Sequence, residues 1–248
     1  MKIALVLAMA LAMVGGCKSS VPVANTPIIA TPTTVDVERM VRAVPLVFYD
    51  GSAGAGVLFK TGNKVGMITA AHVIADGDAE KETPKTYGQK IIHIIGYEPG
   101  TEEIQYSTSA KVIALDPIED WAVLQIDEEK QGMQFVDFAD TLPRIGQPVW
   151  MIGSPLLDAG TVSRGVVCHP FRSVSISPNA KIHFIHTDAV GMNGSSGGGL
   201  FTEDGRCVGI IVRRNALNGT MYAFPTFLIR ERICSMFLPP DPMPPFVE

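Results

Sequence analysis

Three short segments of this chain carry side chains whose types and surroundings could support nucleophilic chemistry. The most specific runs Thr187-Asp188-Ala189-Val190-Gly191-Met192-Asn193-Gly194-Ser195-Ser196-Gly197-Gly198-Gly199. A serine followed by glycines, with another glycine two residues before it, is a tight turn that presents a hydroxyl. Glycine permits positive φ and close backbone approach. It also frees successive N–H groups to point at one spot, where an oxyanion can sit. A Gly-Ser linker has a similar composition, but a linker would not run at once into Leu200-Phe201 and the apolar stretch 207–212. The second segment, Met67-Ile68-Thr69-Ala70-Ala71-His72-Val73-Ile74, leads an apolar strand into a small-residue turn that brings an imidazole to an edge. The third, Ala114-Leu115-Asp116-Pro117-Ile118-Glu119-Asp120-Trp121-Ala122-Val123-Leu124, sets carboxylates at the mouth of an apolar strand. Asp120 there could be buried against an imidazole, and Asp116 and Glu119 compete with it. Taken singly, the histidine is equally a structural one and the acid a solvated turn residue.

The elements that must position these groups are short apolar runs broken by Gly and Pro, of which the chain has 24 and 18. Candidate strands fall at 43–49, 54–60, 65–69, 90–95, 107–115, 122–126, 148–153, 160–168, 182–187, 198–202, 207–213 and 220–224. Close spacing with few helical stretches between is the habit of an all-β barrel or sandwich. One helix is expected near the end. Pro225 suits its first turn, Ile229, Ile233, Met236 and Phe237 share one face, and Pro239-Pro240 stop it. A chain of 248 residues with 46% hydrophobic and 18% charged content can bury a sizeable core. The net charge of −5 offers no basic footprint for nucleic acid. No P-loop or dinucleotide fingerprint is present.

The first residues form a separate signal. Lys2 is a minimal positive region, residues 3–14 are apolar, and Gly15-Gly16 precede Cys17. Twelve apolar residues are too few to span a bilayer as a helix, so a signal peptide over 1–16 is expected. Val14-Gly15-Gly16-Cys17 resembles a bacterial lipobox, which implies cleavage before Cys17 and acylation of its thiol. The expected mature protein is exported to the cell envelope and lipid-anchored there. Lys18 rather than an Asp after the anchor favours the outer membrane, facing the periplasm. Residues 17–36, rich in Ser, Thr and Pro, read as a tether, 37–238 as the folded part (about 37–135 and 145–238), and 239–248 as a Pro-rich tail. Cys168, Cys207 and Cys234 leave an odd number, so at least one is unpaired and sequence cannot choose a pair.

The motifs Thr69-Ala70-Ala71-His72-Val73, Asp120-Trp121-Ala122-Val123-Leu124 and Thr187-Asp188-Ala189 followed by Gly194-Ser195-Ser196-Gly197-Gly198 stand in the order His, Asp, Ser. In this the chain resembles the trypsin-like serine peptidase superfamily, most closely its HtrA/Deg branch, from about Val44 to Ile229. Gly146 to Gly153 and Gly160 to Val167 are similar to segments that open the family's second barrel. The resemblance implies two six-stranded antiparallel β-barrels with the site between them. It makes Ser196 the nucleophile, His72 the base and Asp120 the orienting acid, with backbone N–H groups of Gly194 and Ser196 as the oxyanion hole. Val190, six before the nucleophile, would form an apolar pocket floor suited to small or medium aliphatic side chains. Ile211, Val212 and Arg213 would line one wall and pair with substrate backbone. Arg213-Arg214 would either favour acidic residues nearby or be solvated surface, and Asp188 would be structural. Protein or peptide substrates and no cofactor are implied. Two departures stand out: Gly199 replaces the usual proline, and Ser195 replaces the residue that pairs with a new N-terminus in zymogens, so no such switch is expected. The chain ends before the C-terminal peptide-binding domain common in HtrA proteins, and no oligomeric state can be read. His183 and His186, three apart on a strand, lie on opposite faces, so no metal site is expected. A protease-shaped binding or structural lipoprotein would share the strands, but the presence of all three residue types weighs against it.

Overall fold

Alternation of polarity builds the strands. In Ile91–Tyr97, for example, Ile92 and Ile94 are buried while Ile91 and His93 face out, the period-two pattern of a sheet with one covered face. The computed structural model describes residues 36–75, 87–177 and 180–237. The expected leader 1–16, Cys17, the tether up to residue 35 and the tail 239–248 lie outside the described residues.

The first half forms a seven-stranded sheet. Its strands are β1 (Leu46–Tyr49), β2 (Ser52–Ala55), β3 (Val57–Thr61), β4 (Lys64–Thr69), β5 (Ile91–Tyr97), β6 (Ile104–Asp116) and β7 (Trp121–Ile126), in the spatial order β2-β1-β5-β6-β7-β4-β3. The edge strands β2 and β3 are consecutive in the chain and separated by Gly56 alone. Gly56 N–H donates to Pro45 O and Leu58 N–H to Ala43 O, so the run turns the corner between the sheet's two ends. A Cβ at Gly56 would lie 2.4 Å from Met67 Sδ, which explains glycine at this bend. The expected six-stranded first barrel is therefore a curled sheet, open as a ladder, in which one expected strand is broken in two.

The second half closes fully. Strands β8 (Pro148–Gly153), β9 (Thr161–Ser177), β10 (Ala180–Thr187), β11 (Gly199–Thr202), β12 (Cys207–Arg214) and β13 (Met221–Pro225) form a six-stranded barrel in the order β10-β13-β12-β11-β8-β9. The connector between the halves is stitched to both. Val136 N–H donates to Leu58 O in β3, Cys207 N–H to Asp137 O, and Ala139 N–H to Cys207 O in β12.

Three short α-helices and two 3-10 turns, at Pro155–Leu157 and Thr226–Leu228, complete the described residues. Helix α1 (Val37–Arg42), absent from the sequence reading, is capped by Asp36, whose Oδ1 accepts from Arg39 N–H at 3.0 Å. Helix α2 (Ala71–Ile74) is a single turn bearing His72. The expected terminal helix is a 3-10 turn at Thr226–Leu228 followed by α3 (Arg230–Phe237), with Ile233 and Phe237 buried. The main core runs through both halves. Trp121 of β7 packs against Phe224 of β13 with ring centroids 6.5 Å apart. Cys168, Cys207 and Cys234 are all free, and burial pushes the Cys207 thiol up to about 12, so it serves as a small apolar core residue.

Phe59 of β3 meets Phe138 of the connector at 5.2 Å and Phe237 of α3 edge-on at 5.3 Å. It thus ties the terminal helix and the connector to the first sheet. Phe59→Ala is expected to cost about 3–5 kcal/mol, read as a lowered urea midpoint. A loss below about 1 kcal/mol would mean that these rings do not share one packed cluster.

Candidate active site

The imidazole is positioned by a helix too short to hold itself. Residues Ala71–Ile74 make one turn, and Ala70 offers no side-chain cap. Such a turn leaves its first N–H groups without intrahelical partners. Asp120, at the far end of the β6–β7 turn, supplies the missing acceptor. Its Oδ1 accepts from the His72 backbone N–H at 3.0 Å, and its carboxylate contacts His72 Nδ1 at 2.7 Å (Oδ2) and 3.0 Å (Oδ1). A carboxylate can only accept, so Nδ1 carries the proton, and in the neutral imidazole this leaves the lone pair on Nε2. At the other end of α2, the buried Lys90 donates from Nζ to Ile74 O at 2.9 Å and lies 4.7 Å from the Tyr49 ring centre. Lys90 was not singled out in the sequence. A lysine at the head of an apolar strand carries no signal until the helix end above it is known.

The three competing acids separate cleanly. Asp116 Oδ1 accepts from the N–H groups of Ile118 and Glu119, both at 2.9 Å, and so shapes the turn. Glu119 Oε2 accepts from Trp121 Nε1 at 3.0 Å. Asp120 takes φ = 63°, a left-handed conformation uncommon for a non-glycine residue. The Asx turn before it and the buried Trp121 after it hold that geometry and aim the carboxylate at His72.

The serine loop is built from close approaches. Gly194 and Gly197 have φ of +94° and +82°. A Cβ at Gly197 would lie 2.0 Å from Ala55 O and 2.2 Å from Thr69 Oγ1, and one at Gly194 would lie 2.5 Å from Ser154 O. Hydrogen bonds fix the loop on three sides: Ala55 N–H to Ser196 O at 2.8 Å, Gly197 N–H to Ile211 O at 2.7 Å, and Leu156 N–H to Asn193 O at 2.8 Å. The last has a directional effect. In a planar trans peptide the C=O and the next N–H point opposite ways, so the Gly194 N–H is turned away from the 154–156 segment. Among the described residues the N–H groups of Gly194 and Ser196 donate to no protein acceptor. Ser195 is buried, and its Oγ accepts from Met192 N–H at 3.2 Å inside the turn.

The two halves meet at Gly54 of β2. A Cβ there would lie 2.7 Å from Ser196 O and 2.7 Å from Cγ2 of Val73, the residue after His72. Neither Ser196 Oγ nor His72 Nε2 has a hydrogen-bond partner among the described residues; such contacts are often long before substrate binds. Ser196 opens onto a cleft of about 350 Å³ whose walls include Met192, Val212, Arg213, Arg214 and Met221.

Other expected site residues fall differently. Val190 is 68% exposed and is not among the residues lining that cleft; its carbonyl accepts from Ser163 Oγ at 2.8 Å. The apolar lining comes from Met192, Val212 and Met221 instead. Val212 and Arg213 line the cleft, but Ile211 is buried, with its N–H donated to Gly198 O and its carbonyl taken by Gly197. Those Ile211 groups hold the serine loop and are not open to a substrate strand. Asp188 Oδ1 accepts from Val166 N–H at 2.6 Å and pins the chain leaving β10. His183 stacks on Phe171, and His186 Nε2 contacts Thr220 Oγ1 at 2.7 Å. Cys17 lies outside the described residues.

Comparison with known proteins gives the family and the fold. The trypsin-like peptidase domain family matches residues 54–210. The chain is 32% identical over 188 residues to the serine protease Do-like HtrA of Bacillus subtilis, covering 71% of this chain and 37% of that protein. It is 31% identical over 180 residues to a probable periplasmic serine endoprotease DegP-like of Bartonella henselae, covering 72% of this chain and 30% of the relative. The chain thus spans about a third of the length of these curated relatives. In fold it is similar to a Mycobacterium tuberculosis protein, the Rv3671c protease in its inactive form, with a TM-score of 0.62 at 17% identity, covering 84% of this chain and 97% of the other.

Gly197 and Gly51 both have positive φ, but a Cβ at Gly51 would meet nothing within 4 Å. Gly51→Ala is expected to cost about 1–2 kcal/mol, the conformational penalty alone. Gly197→Ala adds a backbone collision and should cost about 4 kcal/mol or more. Thermal melts of the pair would show the difference, and equal shifts would rule out the close packing of the serine loop on β2.

Proposed function

The chain belongs to the trypsin-like peptidase domain family, and on that premise we propose that it is a serine endopeptidase using Ser196, His72 and Asp120. The observation that carries this reading is the paired contact of the Asp120 carboxylate with Nδ1 and the backbone N–H of His72, on the side of β2 where the serine loop docks.

In the proposed reaction, His72 Nε2 takes the proton from Ser196 Oγ as the oxygen attacks the scissile carbonyl. Asp120 holds the productive tautomer and stabilises the imidazolium that forms. The N–H groups of Gly194 and Ser196 receive the negative charge of the tetrahedral oxygen. His72 then protonates the leaving amine, and water, activated the same way, releases the acyl group from Ser196. The residue on the acyl side would place a small or medium aliphatic side chain against Met192, Val212 and Met221. Methionine at such a surface adapts to several apolar shapes. Protein segments are the proposed substrates, in keeping with the proteases among the chain's relatives. We place the activity in the cell envelope, with Cys17 as lipid anchor and 37–238 as the peptidase domain.

A fluorophosphonate probe should label Ser196 covalently, and Ser196→Ala should abolish both labelling and casein cleavage. Asp120→Asn should retain the fold yet lower kcat by about 10³–10⁴-fold, because the amide can donate to Nδ1 and so favour the wrong tautomer. Labelling that persists in Ser196→Ala, or an Asp120→Asn enzyme as fast as wild type, would overturn the assignment.

A further inference from the structure

The cleft carries two arginines that have no carboxylate partner among the described residues. Four of the other arginines have carboxylate partners: Arg42 pairs with Glu98, Arg164 with Glu203, Arg206 with Asp204 and Arg230 with Asp140; Arg39 instead donates to Phe135 O and Arg232 lies over the Trp121 ring. Among the described residues Arg213 and Arg214 have neither an ion pair nor a hydrogen bond to their guanidinium groups, and both line the cleft that holds Ser196. The chain as a whole is acidic, with a net charge of −5. A cationic rim at the cleft of an anionic protein is a local field that selects charge in whatever enters.

The two arginines are not carried on a loose loop. Arg213 pairs with Tyr222 and Arg214 with Met221 across the β12–β13 ladder. The tip beyond them is closed by Asn215 N–H to Thr220 O and Gly219 N–H to Asn215 O, both at 2.8 Å. A register shift between Ile211 and Arg213 makes Val212 the extra residue of a bulge. Bulges re-aim side chains at sheet ends, and Val212, Arg213 and Arg214 all line the cleft.

We infer, building on the peptidase reading above, that the substrates are extended protein segments in which an apolar residue at the acyl position is preceded by Asp or Glu. The apolar side chain fills the space between Ser196, Val212 and Met221. The residues N-terminal to it then run outward along Val212 to Arg214. An extended chain advances about 3.3 Å per residue, so the second to fourth residues before the cleaved bond pass within reach of the two guanidinium groups.

Internally quenched peptides test this. One set shares an apolar acyl residue and carries Glu, Gln or Lys at the second and third positions before the cleaved bond; a second set carries the same residues after it. The wild type should show kcat/KM in the order Glu, Gln, Lys, with about a fivefold step between neighbours, as expected of exposed ion pairs. Raising salt to about 0.5 M should compress the order. Arg213→Gln/Arg214→Gln should flatten it and Arg213→Glu/Arg214→Glu should invert it, with circular dichroism melts showing that both variants fold. Cleavage indifferent to charge, or an acidic preference confined to the second set, would overturn this inference and leave the peptidase reading intact. No cleavage of any peptide together with no labelling of Ser196 would overturn the peptidase reading, and this inference with it.

Discussion

The carboxylate of Asp120 does two tasks at once. It closes the N-terminus of a one-turn helix that has no cap of its own, and it orients the ring carried by that helix. A four-residue helix has no independent stability in water, so the imidazole is only as well placed as the acid that receives its backbone N–H. That acid sits in a strained conformation maintained by the Asx turn of Asp116 and by Trp121 locked between the two sheets. Structure and chemistry are therefore coupled through one residue: loosening the β6–β7 turn would free the helix and misdirect the ring together.

The serine loop is positioned from the opposite side by a comparable economy of backbone contacts. Its carbonyls and N–H groups are used by β2 and the 154–156 segment through one hydrogen bond each and by Ile211 of β12 through two. Among the described residues the N–H groups of Gly194 and Ser196 are left without a protein acceptor. Ser195, where an acid would respond to a new chain end in zymogens, is turned inward and bonded to Met192. The loop is thus held by its own turn.

Much of this was legible in the residues. Every expected strand is present, because alternation and turn residues mark them directly. The break at Gly56 was not legible, since one continuous apolar run reads as one strand until its neighbours on both sides are known. The Ser196 segment announced itself through glycines whose positive φ and close approaches the fold requires. The choice among Asp116, Glu119 and Asp120 could not be made from spacing before a family resemblance was invoked. All three precede the same strand, and only the left-handed turn shows which carboxylate faces the helix. Val190 illustrates the opposite case: counting back from a serine gives a position in the chain but not the direction of its side chain, and here that direction is solvent. Lys90 and α2 left no trace, one because its role is wholly tertiary, the other because four residues hold no period.

The connector hydrogen-bonded to β3 on one side and β12 on the other bears on what can be digested. Swinging the two halves apart would break backbone hydrogen bonds on both sides, which opposes widening of the gap between them. For the proposed peptidase, this favours an extended segment over a folded domain as substrate. On that reading, the rate on a given protein would follow how often one of its strands frays.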